Sequence, residues 1–294
     1  LTRAQLISEL GRCLGCKSKP CMNACPVNCN PQEFIAKAKA NDFAGAVETI
    51  TRNNPMGQTC GLICPDKFCM QACTRAGIDF PINIPRVQAT ILEKYRTAES
   101  AAHPKLPANG KKVAVIGAGP AGIAATAELS RLGYRITLFE SFEKIGGALN
   151  LIPDKRLPFE VIAKDWSFID DPDMIELRLN TPVNNPAALL EQDFDGVIVA
   201  TGEPEGINLG IDGEEHAVSY LDYLRHPEHY AARGNIAVIG GGAVATDCAL
   251  TAVNNGAENV EMFVRRRVSD MRVTGEERKS LLDAGVDPVS YTHL

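Results

Sequence analysis

The period of the apolar positions changes near residue 110. Before it, apolar residues recur three and four apart over residues 4–10, 31–40, 44–53 and 84–95, with loops between them. That spacing predicts short amphipathic helices, and no period-two alternation appears in this part. Residues 103–110, HPKLPANG, read as a linker. After it, 112–116 is an apolar strand, GAGPAG follows at 117–122, 123–132 has helical spacing and 135–140 returns to strand. The order repeats at 235–239 (strand), 240–245 (GGGAVA), 246–255 (helix) and 258–264 (strand). Between the two, residues 196–202, GVIVATG, predict a buried strand running into an Ala-Thr-Gly turn.

Helices this short bury little apolar surface, and the cysteines indicate what supplements them. Nine of the ten fall in two ladders, Cys13, Cys16, Cys21, Cys25 and Cys29, then Cys60, Cys64, Cys69 and Cys73. The spacings C-x2-C-x4-C-x3-C-P and C-x3-C-P-x3-C-x3-C have the close rhythm and following proline of ferredoxin-type ligation. A disulfide scaffold belongs to short secreted chains, and structural zinc prefers paired C-x2-C, present here only at Cys13 and Cys16. Iron-sulfur clusters are therefore the preferred reading, with metal binding supplying much of the folding free energy of this region. Two four-iron clusters need eight ligands, so nine cysteines leave at least one spectator. Cys29, beyond the first proline, is the first suspect, and Cys25 and Cys64, each followed by proline, are the candidates for crossing between clusters.

Composition removes some classes of function. With 294 residues and a formal charge of -6, the chain can hold several domains and has no general attraction for nucleic acid. Its basic residues are scattered except for Arg265, Arg266 and Arg267, and no apolar run approaches the ~20 residues of a membrane span. A soluble protein of the reducing cytoplasm is expected. Residues 289–294, VSYTHL, carry no cap or turn signal; a non-native tail and a truncated strand are both compatible, and both chain ends read as incomplete.

Each glycine turn stands between a strand and a helix, which makes it a strong dinucleotide signal. In the first, Gly117 permits the tight turn, Gly119 the approach of a pyrophosphate and Gly122 close helix packing, while Glu140 is placed to bind a ribose hydroxyl. In the second, the residues after the second strand are Arg265, Arg266 and Arg267, which suit a 2'-phosphate; a solvated basic turn is the competing reading. An acid in the first unit and arginines in the second suggest FAD followed by NADPH. Cys248 stands alone in a helical stretch, with no C-x-x-C beside it, and reads as a buried structural thiol.

Taken in order, the twin ladders, GAGPAG, Glu140, Gly146-Gly147, IPDKRLP, ATG and GGGAVA with a basic strand end resemble the small subunit of glutamate synthase. They resemble the N-terminal half of dihydropyrimidine dehydrogenase more closely, over residues 10–288. The resemblance implies a multidomain chain: an all-α, ferredoxin-like iron-sulfur domain (1–102), a linker (103–110), and a Rossmann-type α/β FAD domain (first part, 111–205). A second, inserted Rossmann-type NAD(P)H domain (206–294) would follow, incomplete at its C-terminus.

It also implies a ligand set. One [4Fe-4S] cluster would take Cys13, Cys16, Cys21 and Cys73; the other would take Cys25, Cys64, Cys69 and a glutamine, Gln88, where the glutamate synthase subunit has a glutamate. Cys29 and Cys60 are then both spectators. The gap between Cys64 and Cys69 is a residue shorter than is common in the family. Implied FAD residues are Gly117, Ala118, Gly119, Pro120, Ala121 and Gly122, then Glu140, Gly146, Gly147, Ala148, Leu149 and Arg156. For NADPH they are Gly241, Gly242, Ala243, Val244, Arg265, Arg266 and Arg272.

Such a module passes electrons from NADPH through FAD and two [4Fe-4S] clusters to a partner, without a side-chain acid or nucleophile in the first step. The expected partner is an FMN-containing pyrimidine reductase, or in the alternative a glutamate synthase large subunit. The family's C-terminal return segment carries a Gly-Asp turn that does not occur in these 294 residues. A cofactor-binding fragment without turnover is the expectation from another class.

Overall fold

Caps start most of the N-terminal helices. Thr2 and Gln5 form a capping box on α1 (Arg3–Arg12), and α2 (Pro20–Asn23) opens on a proline. Asn30, Asp42 and Asn83 each accept a first-turn N–H with a side-chain oxygen, at α3 (Pro31–Lys39), α4 (Phe43–Thr51) and α6 (Ile84–Tyr95). Between the last two lies α5 (Gly57–Ile63), which pattern reading does not predict, and α7 (Ala98–Ala101) ends the helical region. The four predicted helices are present, with ends displaced by at most two residues.

The apolar faces meet in one core that includes Leu6, Leu10, Phe34, Ile35, Val47, Ile50, Val87, Ile91 and Leu92, with Cys29 and Cys69 buried among them. Full burial of each such aliphatic side chain is worth about 1.5–3 kcal/mol. The cysteine loops therefore lie directly against the hydrophobic core.

The structure is a computed structural model, and it describes residues 1–203, 205–206, 209–230 and 233–290. The chain forms two compact units, Leu1–Leu149 with Arg156–Gly202, and Asn150–Lys155 with Glu203–Leu294. The first unit holds the helical region and a parallel sheet in the order β3-β2-β1-β4. Its strands are β1 (Lys112–Ile116), β2 (Arg135–Phe139), β3 (Ile175–Arg178) and β4 (Gly196–Val199). Helix α8 (Pro120–Arg131) connects β1 to β2, and α9 (Phe159–Ser167) precedes β3. The expectation of a buried strand at 196–202 needs correction. β4 is an edge strand, half-buried along most of its length, and Val199 is exposed.

The second unit contains a parallel sheet in the order β5-β6-β7, with strands Asn235–Ile239, Asn259–Val264 and Asp287–Ser290. Helix α10 (Tyr220–Arg225) precedes β5, α11 (Ala243–Asn254) connects β5 to β6, and α12 (Gly275–Asp283) leads into β7. Val289 and Ser290 pair in parallel register with Phe263 and Val264, so this part of the supposed tail is strand. Residues 291–294 lie outside the described residues. Together these elements make a helical N-terminal region followed by Rossmann-like folds with parallel sheets. Among the described residues no helix is long and apolar enough to cross a membrane.

Candidate iron-sulfur and dinucleotide sites

Four of the nine N-terminal cysteines, Cys13, Cys16, Cys21 and Cys73, line one cavity with Ile35, Ile82 and Ile84. Cys13 follows the last turn of α1, Cys21 sits in α2, and Cys73 precedes a 3-10 turn at Thr74–Gly77. Elements more than 50 residues apart in sequence thus converge on one apolar chamber; Thr74 at its edge accepts the Cys16 S–H at 3.4 Å. These four are the set the family resemblance implied for one cluster.

The other five thiols form a neighbouring group. Cys29 feels the charges of Cys25, Cys69 and Cys60; Cys64 and Cys69 feel Cys25, and Cys69 also feels Cys21 across the gap between the groups. Burial, with these neighbouring sulfurs adding to it, pushes the metal-free thiols of Cys29 and Cys69 up to about 12. Burial likewise pushes Cys60 up to about 11. A bound cation favours the thiolate and so works against this burial.

Gln88 belongs to this second group. It is 8% exposed on α6. Its Nε2 donates to Gly57 O at 2.7 Å, and Cys29 Sγ lies 3.7 Å from its Oε1. Close helix packing makes this possible: a Cβ on Gly57 would stand 2.6 Å from Leu92 Cδ1, and one on Gly61 would stand 2.7 Å from both Ala89 N and Pro85 O. Two glycines four apart thus let the backbones of α5 and α6 touch. Their Gly-x-x-x-Gly spacing was the available sequence signal for this contact.

The donor set suits iron-sulfur clusters better than zinc. Zinc at 2.3 Å from each thiolate would hold tetrahedral sulfurs about 3.8 Å apart. Among the described residues no three cysteine sulfurs come within 4.8 Å of one another. Groups spaced more widely in apolar surroundings suit a larger, multi-iron core.

At the first dinucleotide turn, Gly117 has φ of +102°, and a Cβ there would meet Ala200 O at 2.5 Å. Only glycine fits between the end of β1 and the Ala200-Thr201 turn. Gly119, half-buried, is the N-cap of α8, with Pro120 exposed at the first helical position. The loop after β2 comes back to this turn at Gly146, whose N–H donates to Ala118 O at 2.8 Å, and Gly147 faces Gly119 so closely that a Cβ would stand 2.9 Å from its Cα. Ala148 and Leu149 continue as a 3-10 turn. A helix N-terminus beside a flat glycine surface is the kind of place that suits a pyrophosphate.

Glu140, 5% exposed, accepts the Ala118 N–H at 2.7 Å with one oxygen, and the Ser141 hydroxyl and Phe142 N–H with the other. A carboxylate offers about four acceptor positions, so these contacts orient it and leave capacity for a ribose hydroxyl. Arg156 is half-buried in the turn after Asp154.

The second turn repeats the arrangement. Gly240 has φ of +140°, Gly242 is the N-cap of α11, and Ala243 and Val244 form its first turn, with Val244 exposed. A Cβ on Gly241 would meet Val264 Cγ1 at 2.5 Å. Arg265, Arg266 and Arg267 follow at the exposed end of β6, beside β5 and its glycine turn. Arg272 is brought to the same place by its backbone: its N–H donates to Gly241 O at 3.0 Å, and it bridges to Gly242. Cys248 is buried on α11.

Comparison with known proteins is consistent with this layout. Residues 1–100 match the family described as dihydropyrimidine dehydrogenase domain II, 4Fe-4S cluster. Residues 115–166 match an NAD(P)-binding Rossmann-like domain, and 171–292 match pyridine nucleotide-disulphide oxidoreductase. The chain is 34% identical over 291 residues to the NAD-dependent dihydropyrimidine dehydrogenase subunit PreT of Escherichia coli (strain K12), covering 95% of this chain and 70% of that one. It is 29% identical to the NADP(+)-dependent formate dehydrogenase subunit beta of Moorella thermoacetica, covering 94% of this chain and 43% of that one. Among solved structures, 2-naphthoyl-CoA reductase shares the fold at a TM-score of 0.56 and 19% identity, over 92% of this chain and 38% of that one.

Proposed function

The chain belongs to the family of the NAD-dependent dihydropyrimidine dehydrogenase subunit PreT, and is an NAD(P)H-dependent FAD and iron-sulfur oxidoreductase; from that premise we propose that it is the electron-input subunit of a pyrimidine-reducing enzyme. The observation that carries this is the convergence of Cys13, Cys16, Cys21 and Cys73 on one cavity. When bound, the flavin would accept a hydride from the nicotinamide and release electrons singly toward the clusters and an acceptor. The protein's residues hold and orient. The α8 N-terminus with Gly119 and Gly147 would hold the FAD pyrophosphate, Glu140 would bind its ribose, and Arg156 would contribute to the flavin site. Cys13, Cys16, Cys21 and Cys73 would hold one cluster; Cys25, Cys64, Cys69 and Gln88 would hold the other.

For the reductant the reading is NADPH, supported by Arg265, Arg266 and Arg272 beside the second glycine turn. NADH is the second reading, favoured by the name of the Escherichia coli relative. The acceptor is an FMN-bearing chain that reduces a pyrimidine; a glutamate synthase large subunit is the alternative.

Anaerobic purification with iron, zinc and flavin analysis tests the cofactor set. The expected result is about eight irons and one FAD per chain, with flavin and clusters bleached by reduced nicotinamide cofactor. Four irons or fewer with zinc present overturns the two-cluster reading. Mixing the reduced protein with each acceptor and following uracil reduction or glutamate formation then decides between the partners.

A further inference from the structure

With seven thiols and Gln88 as ligands, Cys29 and Cys60 are left over, and their surroundings differ. Cys60 lies on α5, with Asn54 hydrogen-bonding to its sulfur. Cys29 is 2% exposed, in the wall of the core, and its Sγ lies 3.7 Å from Gln88 Oε1, a distance at which S–H donates to the amide oxygen. Gln88's other end is tied as well, its Nε2 donating to Gly57 O at 2.7 Å. A backbone carbonyl can only accept, so Nε2 must face Gly57 and Oε1 must face the Cys29 sulfur. An amide oxygen has two lone pairs, and Cys29 occupies one.

We infer that Cys29 is a positioning residue for the second cluster, its S–H hydrogen bond holding the Gln88 oxygen in its ligating orientation and weakening that oxygen's donation to iron. The inference rests on Gln88 being a ligand. Outer-shell partners of this kind orient metal ligands and tune the metal, and hydrogen bonds at a cluster's ligands are among the determinants of its potential. A donor directed at the ligand stabilises the more negative, reduced cluster and so raises its potential. Cysteine spacing marks Cys29 only as a surplus thiol and gives no hint of this role.

Anaerobic iron analysis and redox titration followed by EPR, on wild type, Cys29→Ala, Cys29→Ser and Gln88→Ala, provide the test. Cys29→Ala is expected to keep the wild-type iron content while one cluster shifts to a more negative potential with an altered EPR signal. Cys29→Ser, which retains a donor, should lie closer to wild type, and adding Cys29→Ala to Gln88→Ala should produce no further shift. Loss of half the iron in Cys29→Ala with full iron in Gln88→Ala would make Cys29 the ligand and overturn the inference. So would retained iron with unchanged potentials. Wild-type protein with only one cluster's iron is a separate failure, that of the two-cluster reading itself.

Discussion

Arg96 and Asp165 form an ion pair from which solvent is all but excluded, the two side chains being 2% and 0% exposed. Arg96 follows α6 and Asp165 lies on α9, so the pair joins the helical region to the first nucleotide fold. The carboxylate also accepts the Thr59 N–H at 2.8 Å and the Gln58 N–H at 3.4 Å, at the first turn of α5. It therefore caps the helix that carries Cys60 and ends at Cys64. Arg96 donates in addition to Pro55 O and stacks over Phe168 at 4.1 Å.

Removing one member of such a pair leaves a buried charge without its counterion, which costs about 3–5 kcal/mol. Asp165→Ala also frees two helix N–H groups. Urea unfolding is expected to show a loss in this range for Asp165→Ala. The double variant Arg96→Met with Asp165→Ala should recover part of it, because the buried guanidinium is gone.

Gly61 tests the contact between α5 and α6. A methyl group there meets backbone atoms of Ala89 and Pro85, which cannot move aside as a flexible side chain would. Gly61→Ala is expected to cost about 1–3 kcal/mol through overpacking. It should also lower iron content, since α5, which leads into Cys64, and α6, which bears Gln88, are forced apart. Full iron with wild-type stability would show that the close approach is dispensable.

The proposed preference for NADPH rests on Arg265 and Arg266. Alanine at both positions removes charge-assisted hydrogen bonds that only a 2'-phosphate can accept. Binding of NADPH should weaken at least tenfold while NADH binding changes little, as followed by fluorescence titration. Equal losses for the two cofactors would assign the arginines to the solvated surface.

His103 makes the stability depend on pH. Its Nε2 lies 2.9 Å from Thr51 Oγ1, and burial, assisted by the nearby Arg131 charge, lowers its pKa from 6.5. A depressed base binds its proton more readily when unfolded, so its contribution is present above the unfolded value near 6.5. It is lost as pH falls toward the folded value. Denaturant midpoints measured from pH 7.5 to 5.5 should fall for wild type and fall less for His103→Gln.

The sequence determined by itself whatever depends on near neighbours. Apolar residues three and four apart made four N-terminal helices legible, and their caps at Thr2, Asn30, Asp42 and Asn83 lie within three residues of the N–H groups they satisfy. Strand-glycine-helix order exposed both dinucleotide turns, and the cysteine rhythm exposed the metal chemistry. Helix α5 was not legible because Met56 offers it no side-chain cap; its cap is Asp165, 106 residues beyond Thr59. The half-buried state of β4 followed from its place at the sheet edge, and the strand at Asp287–Ser290 became recognisable only through its pairing with β6. Cys29 and Cys60 were alike as surplus thiols until packing set one of them against Gln88. Local hydrogen bonds and backbone preferences are written in consecutive residues, whereas the choice of which distant carboxylate, thiol or strand edge they meet is made only when the core closes.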